Sequence, residues 1–70
     1  MPRMQAVTSS WVAAIGYDED AHSVHVELID GGAYSYEQVP QVIWRAFLAA
    51  DSKGGFVNAV LKPFFPCHPG

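Results

Sequence analysis

The chain has 70 residues, of which 50% are hydrophobic and 16% are charged, and its formal net charge is −3. This length excludes more than one domain and a large enclosed active site, while the apolar content excludes a disordered chain. The negative charge argues against the broad basic surface that supports non-specific nucleic-acid binding.

Two strands are predicted first, joined by an acidic turn. The run SWVAAIGYD, a strand at 10–17, ends at the polar cluster DEDAH, which is typical of a turn. In HSVHVELI, at 22–29, Val24, Val26 and Leu28 alternate with polar residues, which indicates a half-buried strand. We interpret the acidic cluster as a solvated turn, because it lacks the further oxygen ligands and the glycine spacing of a calcium site.

Tyr34 and Tyr36, in the stretch GGAYSYEQVP, are two apart on a third predicted strand at 32–37, so both rings project from one face. A two-residue turn before this strand would place them on the polar face of the sheet, and a three-residue loop would place them on the core face. Packing favours the core face, because the opposite side of this strand offers only Ala33 and Ser35.

A helix is predicted at 40–50, where PQVIWRAFLAA is rich in helix formers. Ile43 and Phe47 are four apart and define its core stripe, while Trp44 and Leu48 widen the apolar surface. A helix this apolar is either covered on most sides or has a partner outside the chain.

A shorter second helix is predicted at 53–61, with Ser52 as its N-cap, Lys62 near its C-terminal end and Pro63 ending it. The sequence therefore predicts an α+β fold, with a small three-stranded antiparallel sheet packed by one main helix and one shorter helix. The single domain covers 8–65, between a flexible N-terminus at 1–7 and a flexible tail at 66–70.

No stretch has the pattern of a catalytic or cofactor site. Cys67 and His68 are adjacent in sequence, so their side chains rarely face each other, and they lie in a proline-broken segment. Lys53 precedes Gly54 and Gly55, whereas the lysine of a phosphate-binding loop follows the glycines. We expect no enzymatic activity, no metal and no cofactor.

The sequence predicts a cytoplasmic chain outside the membrane. Its single cysteine cannot form an internal disulfide, and the start MPRMQAVTSS lacks the apolar core of a signal peptide. The longest apolar stretches are broken by Gly16, Arg45 and Lys62, so none reaches the roughly 18 consecutive apolar residues of a membrane span.

The order of several short motifs resembles the KTSC domain, a bacterial module named after its occurrence at the C-terminal end of some lysyl-tRNA synthetases. The motifs are SSWVAAIGYD, VHVEL, GGAYSYEQVP, AADSKGGFVN and LK, and they extend from Thr8 to Phe65. The resemblance implies RNA binding, with tRNA as the expected class. The chain departs from the family after Lys62, where KPFFPCHPG lacks the further basic residues and tyrosines that the family tends to carry.

Two hypotheses of function follow. In the first, Tyr34 and Tyr36 stack on RNA bases while Arg45, Lys53 and Lys62 meet phosphates.

In the second, the chain is a protein-interaction or self-association module, existing as a monomer or weak homodimer. Trp44, Leu48 and the phenylalanine tail would then form the apolar patch for a partner. The residues alone favour this second hypothesis slightly and the family resemblance favours the first, so both stay open.

Overall fold

A five-stranded antiparallel sheet forms the centre of the fold in a computed structural model, which describes residues 3–69. The strands are arranged in chain order, so each pairs with its neighbours in sequence. They are β1 (Gln5–Ala6), β2 (Val12–Asp18), β3 (Ser23–Leu28), β4 (Ala33–Tyr36) and β5 (Cys67–Pro69). The predicted α+β class is confirmed, and the three predicted strands correspond to β2, β3 and β4.

The prediction of a three-stranded sheet is wrong, because β1 and β5 add one strand at each edge. Both come from segments predicted to be flexible, 1–7 and 66–70, of which residues 1, 2 and 70 lie outside the described part of the chain. These strands of two and three residues are too short to show an alternating pattern. They pair with backbone groups that the edges of β2 and β4 would otherwise leave open.

A three-residue loop joins β3 to β4. The backbone N–H of Leu28 donates to the carbonyl of Gly32 at 2.8 Å, which closes the loop over residues 29–31. Gly31 has a φ of +98°, a left-handed conformation that glycine adopts without steric cost. The loop has the length of the longer predicted alternative, which would have paired Ile29 with Ala33, but it begins one residue earlier.

This register places both tyrosines on the core face of the sheet. Tyr36 lies opposite Val24 and Tyr34 lies opposite Val26, and both valines are buried. Tyr36 is itself only 5% exposed, whereas Tyr34, which is nearer the loop, is 42% exposed. The core face that the packing argument predicted is therefore correct for both tyrosines. Only the ring of Tyr36 is buried there.

Two helices follow β4. The first, α1 (Gln41–Ala49), matches the predicted main helix. The second, α2, spans 53–64 and comprises an α-helical turn (Lys53–Phe56), a π-helical turn (Val57–Leu61) and a final α-helical turn (Lys62–Phe64). No helix among residues 3–69 has the length and apolarity needed to cross a membrane.

Pro63 lies within α2 and does not end it, contrary to the prediction. A proline inside a helix lacks an N–H donor, and its ring crowds the carbonyl of the preceding turn. That turn is widened here, because the N–H of Lys62 bonds to the carbonyl of Val57, five residues back. We attribute the continuation of α2 through Pro63 to this wider turn.

The core lies between the sheet and the two helices. Its buried side chains are Val12, Ile15, Val24, Val26, Tyr36, Val39, Phe47, Val57 and Leu61. Phe47 is the largest fully buried side chain, and its ring stacks on Phe56 with centroids 5.0 Å apart. Both helices are thus held to one face of the sheet, and a cleft remains where α2 does not cover that face completely.

Candidate functional site

This cleft has a volume of about 460 Å³ and lies between α2 and the part of the sheet where β2 begins and β3 ends. We call it the aromatic cleft. Its lining residues are Trp11, Leu28, Tyr34, Tyr36, Val57, Asn58, Lys62 and Cys67. The site is therefore built from four strands or strand ends and one helix, which come together only in the folded chain.

Helix α2 supplies three of the lining residues: Val57 and Asn58 lie in its π-helical turn, and Lys62 directly follows that turn. Val57 is buried in the core, while Asn58 and Lys62 are exposed. Single π-helical turns occur frequently at functional sites, because they change which residues share a face of the helix. Here the turn brings an amide and an ammonium group to the same cleft.

Trp11 reaches the cleft by lying against α2 at Gly54. A Cβ atom at Gly54 would overlap the indole Nε1 of Trp11 and would lie 2.9 Å from its Cε2 atom. The helix backbone can approach the ring this closely only because residue 54 has no side chain. Gly54 thus determines the position of the indole that lines the cleft.

Replacing Gly54 by alanine is expected to lower the free energy of unfolding by about 1–3 kcal/mol, because the added methyl group must displace the indole. Gly55→Ala is the matched control, since it lies in the same helical turn and its Cβ would meet only the side chain of Ser52, at 2.9 Å. Urea denaturation of both variants provides the comparison. A Gly54→Ala protein as stable as Gly55→Ala would contradict this packing.

The charge around the aromatic cleft differs from that of the whole chain. Lys62 is the single charged residue among its eight lining side chains, and none of the eight is a carboxylate. The cleft lies where Val12 pairs with Leu28, while the acidic turn lies at the other end of the same hairpin, beyond the pairing of Asp18 with Ser23. An anionic ligand would therefore meet a local positive charge despite the net charge of −3.

Tyr36 contributes a neutral hydroxyl to the cleft. Burial, together with a smaller contribution from the neighbouring Cys67 thiol, raises the pKa of Tyr36 to about 12. The phenol therefore stays protonated at physiological pH and can both donate and accept a hydrogen bond. Among residues 3–69, no group of three or more His, Cys, Asp or Glu side chains is placed to hold a metal ion.

A smaller polar pocket, of about 220 Å³, adjoins the aromatic cleft. The two share Trp11 and Asn58. The other lining residues of the polar pocket are Thr8, Ser9, Ser10, Asp51, Ser52, Lys53, Gly54 and Gly55. Two of its hydroxyls hold turns in place: Ser52 accepts from the N–H of Gly55 at 3.0 Å, and Ser9 accepts from the N–H of Val12 at 3.3 Å.

Lys53 is hydrogen-bonded to the backbone at the C-terminal end of α1. Its ammonium group donates to the carbonyl of Leu48 at 3.1 Å and also to the carbonyl of Ala50. A cation at the C-terminal end of a helix complements the helix dipole, so Lys53 caps α1. It lines the polar pocket but not the aromatic cleft.

Two further predicted site residues lie away from the cleft. The indole of Trp44 stacks on Tyr17, with centroids 5.5 Å apart, and meets Phe47 edge to face at 5.9 Å. Arg45 is exposed on α1 and does not line the cleft. Of the six predicted site residues, the structure brings together Tyr34, Tyr36 and Lys62.

Sequence reasoning did not assign a binding role to Trp11, Leu28, Asn58 or Cys67. Trp11 and Leu28 lie in predicted strands like their neighbours. No sequence pattern indicates that either of them lies near α2. Asn58 belongs to the motif AADSKGGFVN, which offered the one available signal. The motif singled out Asn58 but did not indicate which residues surround it in the folded chain.

Comparison with known proteins gives a consistent result. The model of the KTSC domain matches residues 8–65. A protein of Tsukamurella paurometabola is 40% identical over 62 residues, which cover 89% of this chain and 92% of that protein. An uncharacterised protein of Stutzerimonas stutzeri is 41% identical over 58 residues, covering 83% of this chain and 82% of that protein.

The fold is also similar to a solved structure. The crystal structure of a KTSC domain protein from Yersinia pestis has a TM-score of 0.93 against this chain, at 34% sequence identity. The similarity covers 100% of this chain and 99% of the other.

Proposed function

The chain belongs to the KTSC domain family, and on that premise we propose that it is a non-enzymatic module that binds single-stranded RNA, with tRNA as the expected class, in the aromatic cleft. The observation that carries the proposal is the composition of the cleft, which combines three aromatic rings with one cation and no carboxylate. Aromatic rings beside positive charge are the usual means of holding unpaired bases.

Stacking is the main expected source of affinity. A base stacked on an aromatic side chain contributes about 1–3 kcal/mol, without regard to its identity. Tyr34 is the ring best suited to this, because it lines the cleft and is 42% exposed to solvent. A cleft of about 460 Å³ lies within the range of about 300–1,000 Å³ that small-ligand sites occupy, which is appropriate for a nucleotide.

Phosphate contacts are expected to be few. Lys62 is available in the cleft, whereas Lys53 is bonded to the carbonyls of α1. Each phosphate contact on a single strand contributes about −0.7 to the slope of log K against log salt concentration. We therefore expect a shallow slope, between about −0.7 and −1.4, and binding that persists at physiological salt.

A protein-interaction or self-association role is the alternative. It is favoured by Val42 and Phe64, which are 68% and 75% exposed, but Trp44, its predicted anchor, packs against Tyr17 and Phe47. We therefore propose a monomer or at most a weak homodimer, and a cytoplasmic location in keeping with the RNA ligand.

Tyr34→Ala is expected to weaken the binding of a short single-stranded RNA by about 5- to 150-fold, because one stacking surface is lost. Phe64→Ala is the matched control, since it removes an exposed ring that does not line the cleft. Amide shifts of the labelled protein, titrated at low and physiological salt, would give both affinities. Shifts centred on Tyr34, Asn58 and Lys62 are expected.

Cys67 offers an independent readout, because it is exposed, lines the cleft and is the single cysteine of the chain. Bound RNA is expected to slow its reaction with a thiol reagent. Failure of the natural chain to bind RNA in either salt would overturn the proposal. Shifts confined to Val42 and Phe64 on titration with the chain itself would instead support self-association.

A further inference from the structure

Asn58 lies at the boundary between the aromatic cleft and the polar pocket. Its side chain lines the aromatic cleft and the polar pocket at once, and it is exposed to solvent. It is held on the π-helical turn of α2, whose neighbouring residues Val57 and Leu61 are buried in the core. An exposed amide on a firmly packed element exchanges water for a ligand without disturbing the fold.

The chemistry of Asn58 differs from that of the other polar groups of the cleft. The lysine at 62 only donates hydrogen bonds, and the hydroxyls of Tyr34 and Tyr36 are single groups that accept or donate. An asparagine amide presents an acceptor and a donor side by side in one plane. This pair matches the N6 and N7 atoms of adenine, whereas a carboxylate matches the N4 amino group of cytosine.

We propose that Asn58 determines the base specificity of the aromatic cleft and selects adenine at one unpaired position of the RNA. The inference rests on the proposed function, since it needs a stacked base in the cleft. The rings supply affinity that does not depend on base identity, Lys62 meets the phosphate, and the amide of Asn58 pairs with the edge of the base. Single-stranded bases expose these edges, which are unavailable inside an RNA duplex.

The test compares short oligouridines in which one uridine is replaced by adenine, cytosine or guanine. The natural chain is expected to bind the adenine-containing strand about 5- to 150-fold more tightly than plain oligouridine, the usual range for a bidentate pair. Asn58→Ala is expected to bring all four strands within about twofold of one another. Gln41→Ala is the matched control, because it removes an exposed amide that does not line the cleft.

Asn58→Asp separates recognition from a structural role. Its carboxylate accepts but does not donate, so the preference is expected to move from adenine to cytosine, while its charge weakens binding to all strands alike. Structural damage alone would lower every affinity without changing their order. If the natural chain binds all four strands equally, the inference is overturned and the proposed function stands. If it binds none, both are overturned.

Discussion

Replacing Phe47 by alanine is expected to lower the free energy of unfolding by about 3–5 kcal/mol, because the change leaves a cavity at the centre of the core. Phe47 is fully buried, its ring stacks on Phe56 and it meets Trp44 edge to face. Small domains have a total stability of only about 5–15 kcal/mol, so this loss would remove a large part of it. The melting temperature should fall by about 4–8 °C for each kcal/mol lost.

Leu48→Ala is the neighbouring control, since this side chain is 39% exposed and its loss should cost less than about 1 kcal/mol. Urea denaturation measures both changes on the same scale. A larger loss for Leu48 than for Phe47 would mean that α1 packs through a different face. The expected result would explain why α1 is so apolar: its aromatic residues complete a small core, so an outside partner is not needed to account for them.

The strands that could be predicted are those with a visible alternation of apolar and polar residues. β3 is predicted to within one residue at each end, because Val24 and Val26 must face the core while their neighbours face away. β1 and β5 have no such pattern, since a strand of two or three residues carries too few side chains to reveal a period. Their pairing depends on the neighbouring edge and is therefore a property of the assembled sheet.

The site shows the same division between local and long-range information. Tyr34 and Lys62 are recognisable as binding candidates from their chemistry alone. Their meeting with Trp11 and Asn58 depends on how α2 lies across the sheet, and that depends on the missing side chain at Gly54. The hydrogen bonds that Lys53 makes with the carbonyls of Leu48 and Ala50 could not be predicted, because nothing local indicates that the chain returns its ammonium group to the end of α1.

Tyr36→Ala is expected to lower the free energy of unfolding by about 2–4 kcal/mol, as large-to-small changes in a core do. Tyr36 is 5% exposed and lies opposite the buried Val24. Tyr34→Ala should cost much less, because Tyr34 is 42% exposed at the other end of the same short strand. Thermal melts of the two variants would measure this difference in stability. The expected result would give the two tyrosines of β4 different roles, with Tyr36 stabilising the fold and Tyr34 available for binding.

Tyr36→Phe tests the cause of this stabilisation, because it keeps the ring and removes the hydroxyl. The pKa of Tyr36 is raised to about 12 in the folded chain and returns to about 10 on unfolding, so the folded state favours the neutral phenol. Its contribution to stability is complete below pH 10 and is lost as the pH rises towards 12. The natural chain should therefore lose more stability than Tyr36→Phe between pH 10 and pH 12. If both proteins lose stability equally over this interval, the hydroxyl is hydrated and the ring is less enclosed than its packing against Val24 requires.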